Sequence, residues 1–578
     1  MKPMKKTIEN ILRDVVGNET DFQVSVPEFE KLGHYSTNIA LRLAKIRGEN
    51  PVALAEKITR EIHAANPSFF ERVEAAPPGF VNFWISKNEI QKEFSEIAKN
   101  GGYGTSESMK GKTVMIEYTD PNPFKLFHIG HLMSNAIGES IARLHEVAGA
   151  RVIRVNYQGD IGLHVAKAIW AVIKLDESVQ KMHPDSTPEK IVYDWEDLVN
   201  GKAYRMGNDA YERDQKVKAE VIEINKKLYE KSDNYLNQRY LKGREESLKH
   251  LRELYKRLGT KFNHDFFESE VADDGIKIVA EHPDIFVKSD GAVVFRGEDH
   301  NLHTRVFVNT QGLPTYEAKE LGVNKKKFEL YHPDFSIIVT GNEVNDYFRV
   351  LLKAMELVLP EIASRTRHIG HGMLRLPTGK MSSRTGTVIT AEEFIEQAKH
   401  AIKDRENAES DLNASEREAS REAIAIGAIK YSILKQSIGQ DIVFDFEKSL
   451  SVKGDSGPYL QYTYARLRSI LRKSKVEGHK LSVGEQECLE AEAELSLIRK
   501  LIELPDVIET SVEELSSSFI AKYLHDLANL ANRFYESTPV MKEENDDRRR
   551  ARLVLVEIAA RILKEGLGLL GISAPERV

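Results

Sequence analysis

Apolar residues recur along this chain with two spacings, and the places where the spacing changes separate one element from the next. Near the N-terminus, KTIENILRDVV and TNIALRLAKIRG carry helical spacing, with Ile39, Leu41, Leu43 and Ala44 near one face and Gly48 as a stop. APPGFVNFWIS breaks at Pro77, Pro78 and Gly79, then runs as a strand through Phe80, Val81, Phe83, Trp84 and Ile85. Gly101 and Gly102 mark a linker. Beyond them TVMIEY is a short apolar strand and DPNPFKLFHIGH a loop. LMSNAIGESIARLHEVAGA is a helix that stops at Gly149, and RVIRVNY is a second strand. Strand, loop, helix and strand in that order predict a parallel, doubly wound sheet.

From about Pro184 to Gly259 charge is dense and helix formers dominate. Leu248, Leu251, Leu254, Tyr255 and Leu258 form a stripe at helical spacing, which reads as a helical insertion carried by the sheet domain. Strand signals return in GAVVF, TRVFVNT and FSIIVTG, and the last leads into the helix VNDYFRVLLKAMELVL. From about residue 391 nearly everything reads helical, ending in Leu553, Leu555, Ile558, Ile562 and Leu567 before a stop at Gly571. The expected fold is multidomain α/β. A small α/β unit spans 1–110, and a Rossmann-like parallel-sheet domain spans 111–390 with its helical insertion at about 184–265. A helical linker spans 391–450 and an all-α domain 451–578.

Length and composition agree. At 578 residues the chain exceeds one hydrophobic core, and about 100–200 residues per domain give three or four units. A hydrophobic fraction of 41% and a charged fraction of 30% fit a globular protein. The net charge of −7, from 82 basic and 89 acidic residues, is no mark of nucleic-acid binding. A basic face can still hide in a balanced total. Cys488, the single cysteine, makes no internal disulfide and no cysteine-rich zinc site, so a reducing, cytoplasmic compartment is expected. MKPMKKTIENIL lacks the apolar core of a signal peptide, and no run of about 18 apolar residues predicts a membrane span.

One tetrapeptide occurs twice. HIGHLMSN begins at His128 and HIGHGMLR at His368. The first copy falls between a strand and a helix, where parallel sheets bind nucleotides and a helix start offers backbone N–H groups to an anion. His128 and His131, three apart across a turn, can face one phosphate. Gly130 lets the backbone approach, and Lys125 adds positive charge. An ordinary helix start with two partly buried histidines is the rival reading. The second copy, in RHIGHGMLRL, fits an irregular strand. It leads into LPTGKMSSRTGTV, a glycine- and hydroxyl-rich loop with Lys380 and Arg384, suited to closing over a polyphosphate. The pairing of the first copy with KMSSR about 250 residues later makes the rival reading weak.

These two motifs resemble the HIGH and KMSK-like elements of class I aminoacyl-tRNA synthetases. Further blocks narrow the resemblance to the arginyl-tRNA synthetases. EYTDPNPFKLFHIGHL, VIRVNYQGDIG, LGTKFNHDFFESEV and LPTYEAKELG look like that family's catalytic blocks. FDFEKSLSVKGDSGPYLQYTYARLRSIL and LLGISAPERV look like its C-terminal domain, and HYSTNIALRLAK and PPGFVNF like its N-terminal added domain.

The resemblance implies that arginine's carboxylate attacks the α-phosphate of ATP, with Mg2+, and that the arginyl group then passes to the terminal adenosine of tRNA(Arg). Such chemistry needs positioning and charge neutralisation. It implies catalytic roles for Lys125, His128, His131 and Lys380. ATP contacts are implied for His128, Gly130, His131, Lys380, Met381, Ser382 and Ser383. Ser383 stands where the wider class has the second lysine of KMSKS, and the family resemblance gives Lys125 the compensating charge. A guanidinium is planar, charged and suited to paired carboxylates. By position the family's arginine ligands are Glu268, Tyr316 and Glu320, with glutamate where the family often has aspartate. Glu343 is a further candidate, and Asn122, Asn156 and Asp160 are candidates for the substrate's ammonium and carboxylate. Solvated charge is the rival for each glutamate, and turn chemistry for the others. RNA contacts are implied for Phe80 and Asn82, which share a strand face, and for Tyr459, Gln461, Tyr462 and Arg466 at the anticodon. Helix-core packing remains open for one of the two tyrosines. A monomer and no resident protein-bound metal are expected. The rival to an enzyme is an RNA-binding paralogue without catalysis, against which His128, His131, Lys380 and Met381 stand. Cysteinyl enzymes would need thiol-bound zinc, which one cysteine does not supply.

Overall fold

The computed structural model describes residues 4–27, 29–66, 68–99, 103–182, 201–377, 389–404, 412–474, 481–482 and 484–577. Gly101, Gly102 and the segment from Lys380 to Arg384 lie outside them. Two compact units form. One is Met109–Leu450; the other joins both ends of the chain, Met1–Ser108 with Ser451–Val578.

The unit 109–450 is built on five parallel strands: β1 (Thr113–Glu117), β2 (Arg151–Gln158), β3 (His264–Phe267), β4 (Phe335–Gly341) and β5 (Thr366–His371). Their order is β5-β4-β1-β2-β3. The chain leaves β1 toward β2 on one side and later fills β4 on the other. The switch point therefore lies between β1 and β4, where such sheets leave a crevice at their carboxyl ends. β1 is buried on both faces, as its continuous apolar run requires. Met115, Ile153, Val155, Tyr157 and Phe266 pack together with Val271 and Val323 from the helices outside the sheet.

Three helices position the crevice: α1 (Ile129–Val147), α2 (Glu268–Glu281) and α3 (Tyr316–Tyr331). α2 and α3 approach through two glycines. A Cβ on Gly275 would lie 2.2 Å from the Ala318 carbonyl oxygen, and one on Gly322 would lie 2.5 Å from that of Val271. Larger residues would force the helices apart, and with them the side chains at their N-terminal ends.

The insertion is helical, with described helices Ala203–Arg213, Gln215–Glu230 and Asn234–Arg257. Leu248, Leu251, Leu254, Tyr255 and Leu258 are all buried. GAVVF and TRVFVNT form strands outside the parallel sheet. Ala292–Phe295 and Arg305–Val308 pair antiparallel with each other, and Phe286–Ser289 joins through a tight Asp290-Gly291 turn in the left-handed region. Helices Ala391–Lys403 and Ala414–Leu434 belong to the same unit.

In the other unit, a four-stranded antiparallel sheet (Val24–Ser25, Tyr35–Thr37, Phe80–Ile85, Phe70–Ala76) carries the helices of the first hundred residues. C-terminal helices join it: the Tyr103 hydroxyl donates to the Ile502 carbonyl (2.8 Å) and Gln91 Nε2 to that of Leu489 (2.9 Å). Among the described residues, no helix is long and apolar enough to cross a membrane.

Candidate functional site

The segment between β1 and α1 is held in a conformation its residues do not favour. Thr119, Asp120 and Phe124 have φ of 83°, 44° and 65°, each costing about 1–2 kcal/mol for a residue with a Cβ. Tertiary bonds hold the loop there. Thr119 N donates to Ser134 Oγ (2.9 Å), and the Tyr157 N–H donates to Asp120 Oδ1 (2.8 Å). Phe124 N donates to Ser247 Oγ (3.0 Å) while its ring sits in the insertion's core. Gly159 N donates to Asn122 Oδ1 (2.9 Å), which ties the loop to the end of β2.

That loop delivers His128 as the N-cap of α1. Its Nδ1 accepts from the Gly130 N–H (3.1 Å), and His131 Nδ1 accepts from the His128 N–H (3.1 Å), a reciprocal cap made by two imidazoles. The rings stack with centroids 3.7 Å apart. Burial lowers the pKa of both, and for His131 well below the usual value, with His128 and Lys125 adding to it. Both histidines are thus neutral near pH 7. With Nδ1 accepting, each carries its proton on Nε2, a donor. Burial also lowers Lys125, whose ammonium lies over the Tyr204 ring at 5.2 Å and feels Glu268.

The second His-Ile-Gly-His ends β5, at the sheet's edge. His368 stacks on Phe348 (3.8 Å, 7°), with Nε2 2.7 Å from Thr340 Oγ1. His371 is buried; its Nδ1–H donates to the Gly372 carbonyl (2.7 Å), and its Nε2 has no partner among the described residues. Lys380, Met381, Ser382 and Ser383, expected just beyond, lie outside the described residues.

The acidic candidates divide. Glu268, first residue of α2, and Glu320, on α3, are buried. Burial pushes Glu320 up to about 8, with Glu117 adding and Lys327 opposing. Glu117 and Lys327 form a buried ion pair beneath. Burial also raises Glu268 against the pull of Lys319, with which it pairs. Glu343 is exposed on the turn after β4, and its charge acts on His128 and His371. Tyr316 opens α3 and is exposed.

Asn156 and Asp160 are fully buried. Asn156 Nδ2 donates to the Tyr255 hydroxyl (2.9 Å) and its Oδ1 has no partner among the described residues. Asp160 accepts from the Ser269 N–H (2.9 Å) and hydroxyl (2.7 Å) and from the Tyr240 hydroxyl (2.9 Å), and pairs with Arg244 (2.9 Å). Its carboxylate pins the insertion to the start of α2. Two tyrosines that the sequence did not single out belong here. Tyr157 and Tyr347 are raised well above the usual phenol value by burial, with Glu268 and Glu320 contributing. Neither hydroxyl has a partner among the described residues. Only the tertiary fold could have found them.

In the other unit, Phe80 is 37% exposed. Asn82 is buried, and its Oδ1 accepts from the Ser36 hydroxyl (2.7 Å). Tyr462 is exposed, with the Arg466 guanidinium 5.1 Å from its ring centroid. Tyr459 is half-buried and bonded to Asn529 (2.7 Å). Gln461 is fully buried and donates to the Ser573 carbonyl (2.8 Å), a structural tie to the C-terminal tail.

Residues 93–446 match the family model "tRNA synthetases class I (R), catalytic domain", residues 2–85 "Arginyl tRNA synthetase N terminal domain" and residues 460–578 "DALR anticodon binding domain". The chain is 31% identical to the arginine–tRNA ligase of Fusobacterium nucleatum, covering 95% of this chain and 94% of the relative. It is 30% identical to that of Clostridium perfringens, covering 96% of each. The solved arginyl-tRNA synthetases of Thermus thermophilus (23% identity, TM-score 0.79) and Plasmodium falciparum (22%, 0.81) share the fold over 100% of both chains.

Proposed function

The chain belongs to the class I arginyl-tRNA synthetases, which ligate arginine to tRNA at the expense of ATP, and from that premise we propose how its residues divide the work. In the first step an arginine carboxylate oxygen bonds to the α-phosphorus of ATP as the bond to pyrophosphate breaks. In the second, a hydroxyl of the tRNA's terminal adenosine attacks the arginyl carbonyl and AMP leaves.

His128 and His131 hold the phosphates at the start of α1. Neutral and donating through Nε2, they offer hydrogen bonds without a net charge, beside the open N–H groups of the helix. Gly130 leaves room for the nucleotide's approach: a Cβ there would already meet the His128 ring at 2.9 Å. Lys125 supplies the charge that Ser383 does not, while Lys380, Met381, Ser382 and Ser383 supply further ATP contacts. Mg2+ would arrive bound to the ATP phosphates, which demands few protein ligands. Exposed Glu343, near His128, is the carboxylate on that side.

Glu268 and Glu320 take the guanidinium, with Tyr316 beside them. Asn122 and Asn156 serve the substrate's ammonium and carboxylate, and Asp160 holds the frame around them. Residues 1–110 and 451–578 bind tRNA, through Phe80 and Asn82 at one end and Tyr459, Gln461, Tyr462 and Arg466 at the other. Residues 111–390 carry out catalysis, and 391–450 lead to the tRNA stem. Exposed Phe80 and the Tyr462–Arg466 pair are suited to base stacking. Asn82 and Gln461, buried and bonded, act through the strand and helix they hold. A cytoplasmic monomer is the form this reading takes, in keeping with the lone Cys488.

The observation that carries the assignment is the meeting of a histidine-capped helix start with two buried carboxylates at one end of a parallel sheet. Arginine-dependent exchange of pyrophosphate into ATP, with and without tRNA, tests it. Exchange with arginine alone among amino acids, lost in His131→Ala, is the expected result. Tight tRNA binding without exchange would indicate the RNA-binding paralogue instead.

A further inference from the structure

The Glu268 carboxylate already holds a cation. Lys319, from α3, sets its ammonium on Oε2 of Glu268, and both side chains are 4% exposed. The same ammonium lies 4.7 Å from the centroid of the Tyr316 ring, and the Tyr229 hydroxyl from the insertion is within its reach. Carboxylate, aromatic face and phenol oxygen together make a site for an organic cation. The close approach of α2 and α3 through Gly275 and Gly322 fixes the arrangement. One of the two carboxylates assigned above to arginine is therefore occupied by the protein's own side chain.

We propose that Lys319 is a positioning residue, a tethered ammonium that holds the Glu268 carboxylate in place until a guanidinium displaces it, and so sets the arginine concentration to which the enzyme responds. The inference rests on the assignment of Glu268 to arginine. An incoming ligand must do better at Glu268 than the group already there. Any free amino acid gives up translational freedom that the tethered group never had. Arginine brings a planar fork that spans both oxygens of one carboxylate and has further N–H groups for Glu320. Competition with Lys319 thus weakens every cation by the same factor, so it sets the arginine KM and leaves the preference among cations to Glu268 and Glu320.

Lys319→Met keeps the length of the stem and deletes the charge. The measurement is amino-acid-dependent pyrophosphate exchange by the full chain, with tRNA present, for arginine, lysine and ornithine. In the variant the KM for arginine is expected to fall at least tenfold, while the preference for arginine over lysine in kcat/KM changes less than threefold. Arginine should also raise the variant's melting temperature more than the parent's, because Glu268 has lost its resident partner. Lys319→Arg, a tethered guanidinium, should raise the KM for arginine at least tenfold. An arginine KM that stays unchanged or rises in Lys319→Met overturns the proposal. Should Lys319→Met fail to fold, an unchanged arginine KM in Lys319→Arg overturns it. Glu268→Gln separates the two layers. If it leaves the arginine KM unchanged, the assignment of Glu268 falls and the proposal falls with it. If the KM rises there while Lys319→Met leaves the arginine KM unchanged, only the proposal falls.

Discussion

The His-Ile-Gly-His at 128–131 and the one at 368–371 are the same in sequence and unlike in structure. In the first, the imidazoles cap a long helix and their ring nitrogens accept from backbone N–H groups. In the second, the four residues complete an edge strand, one ring stacked on Phe348 and the other buried against Gly372. The flanks decide. The first copy follows a strained loop pinned by Ser134 and Ser247 and precedes a helix-forming run. The second extends a strand already paired with β4 from Thr366 onward. Four residues carry no structure of their own, and their chemistry depends on which backbone groups they leave open.

The sharpest way to break the contrast is to remove one histidine from each copy. His131→Ala should lower arginine-dependent exchange by about 10²–10⁴-fold, the range for losing a positioned donor, and His371→Ala by less than about tenfold. Equal losses would end the distinction. A pH profile sharpens it from another side. Burial keeps the histidines of both copies neutral, so neither should write a step near pH 6.5 onto the rate. The step belongs to Glu320, raised to about 8. With Glu320 as the proposed arginine ligand, its carboxyl is protonated in the free enzyme below that pH, and arginine displaces a proton on binding. The KM for arginine should therefore fall by up to about tenfold per pH unit as pH rises toward 8, then level off. Glu320→Gln should flatten that slope.

Stability separates the copies by smaller amounts. His368→Ala deletes a ring stack and the contact with Thr340, a loss of about 2 kcal/mol in urea unfolding, with exchange changed only a few-fold. His128→Ala should cost about 1 kcal/mol as a lost cap. His128→Asn should recover that stability, since asparagine caps well, without recovering exchange. Recovery of both would reduce His128 to a structural cap.

TVMIEY, RVIRVNY and FSIIVTG were legible as strands because apolar residues dominate each, and α1 because its apolar residues repeat at helical spacing. β3 was not, because HDFF is four residues long and half polar, and the insertion reads through to about residue 265. Nor was sheet membership: GAVVF and TRVFVNT read as strands, but β-formers do not say which sheet they join, and a tight Asp-Gly turn drew one of them into a separate hairpin. The place of His128 and His131 was legible from strand, loop and helix. Their mutual cap was not, because histidine is not an N-cap residue by propensity. Period-two spacing puts Phe80 and Asn82 on one face, yet one is exposed and the other buried, because Phe80 starts its strand where the cover runs out. The partners of Glu268 and Asp160 come from residues 51 to 109 positions away, a separation at which a sequence shows charges but not pairs.

The unit that joins both ends of the chain sets a problem of timing. Residues up to Ser108 leave the ribosome well before Ser451 and its successors, with roughly 340 residues made in between. At about 5–20 residues per second that interval lasts roughly 20–70 seconds. Throughout it Phe94, Ile97 and Tyr103 lack the C-terminal helices that will cover them, while the catalytic unit folds in the gap. The nascent chain thus carries an apolar face for most of its synthesis. Chaperone occupancy measured along stalled chains should rise after Ser108 emerges and fall only once the helix at 492–502 is out.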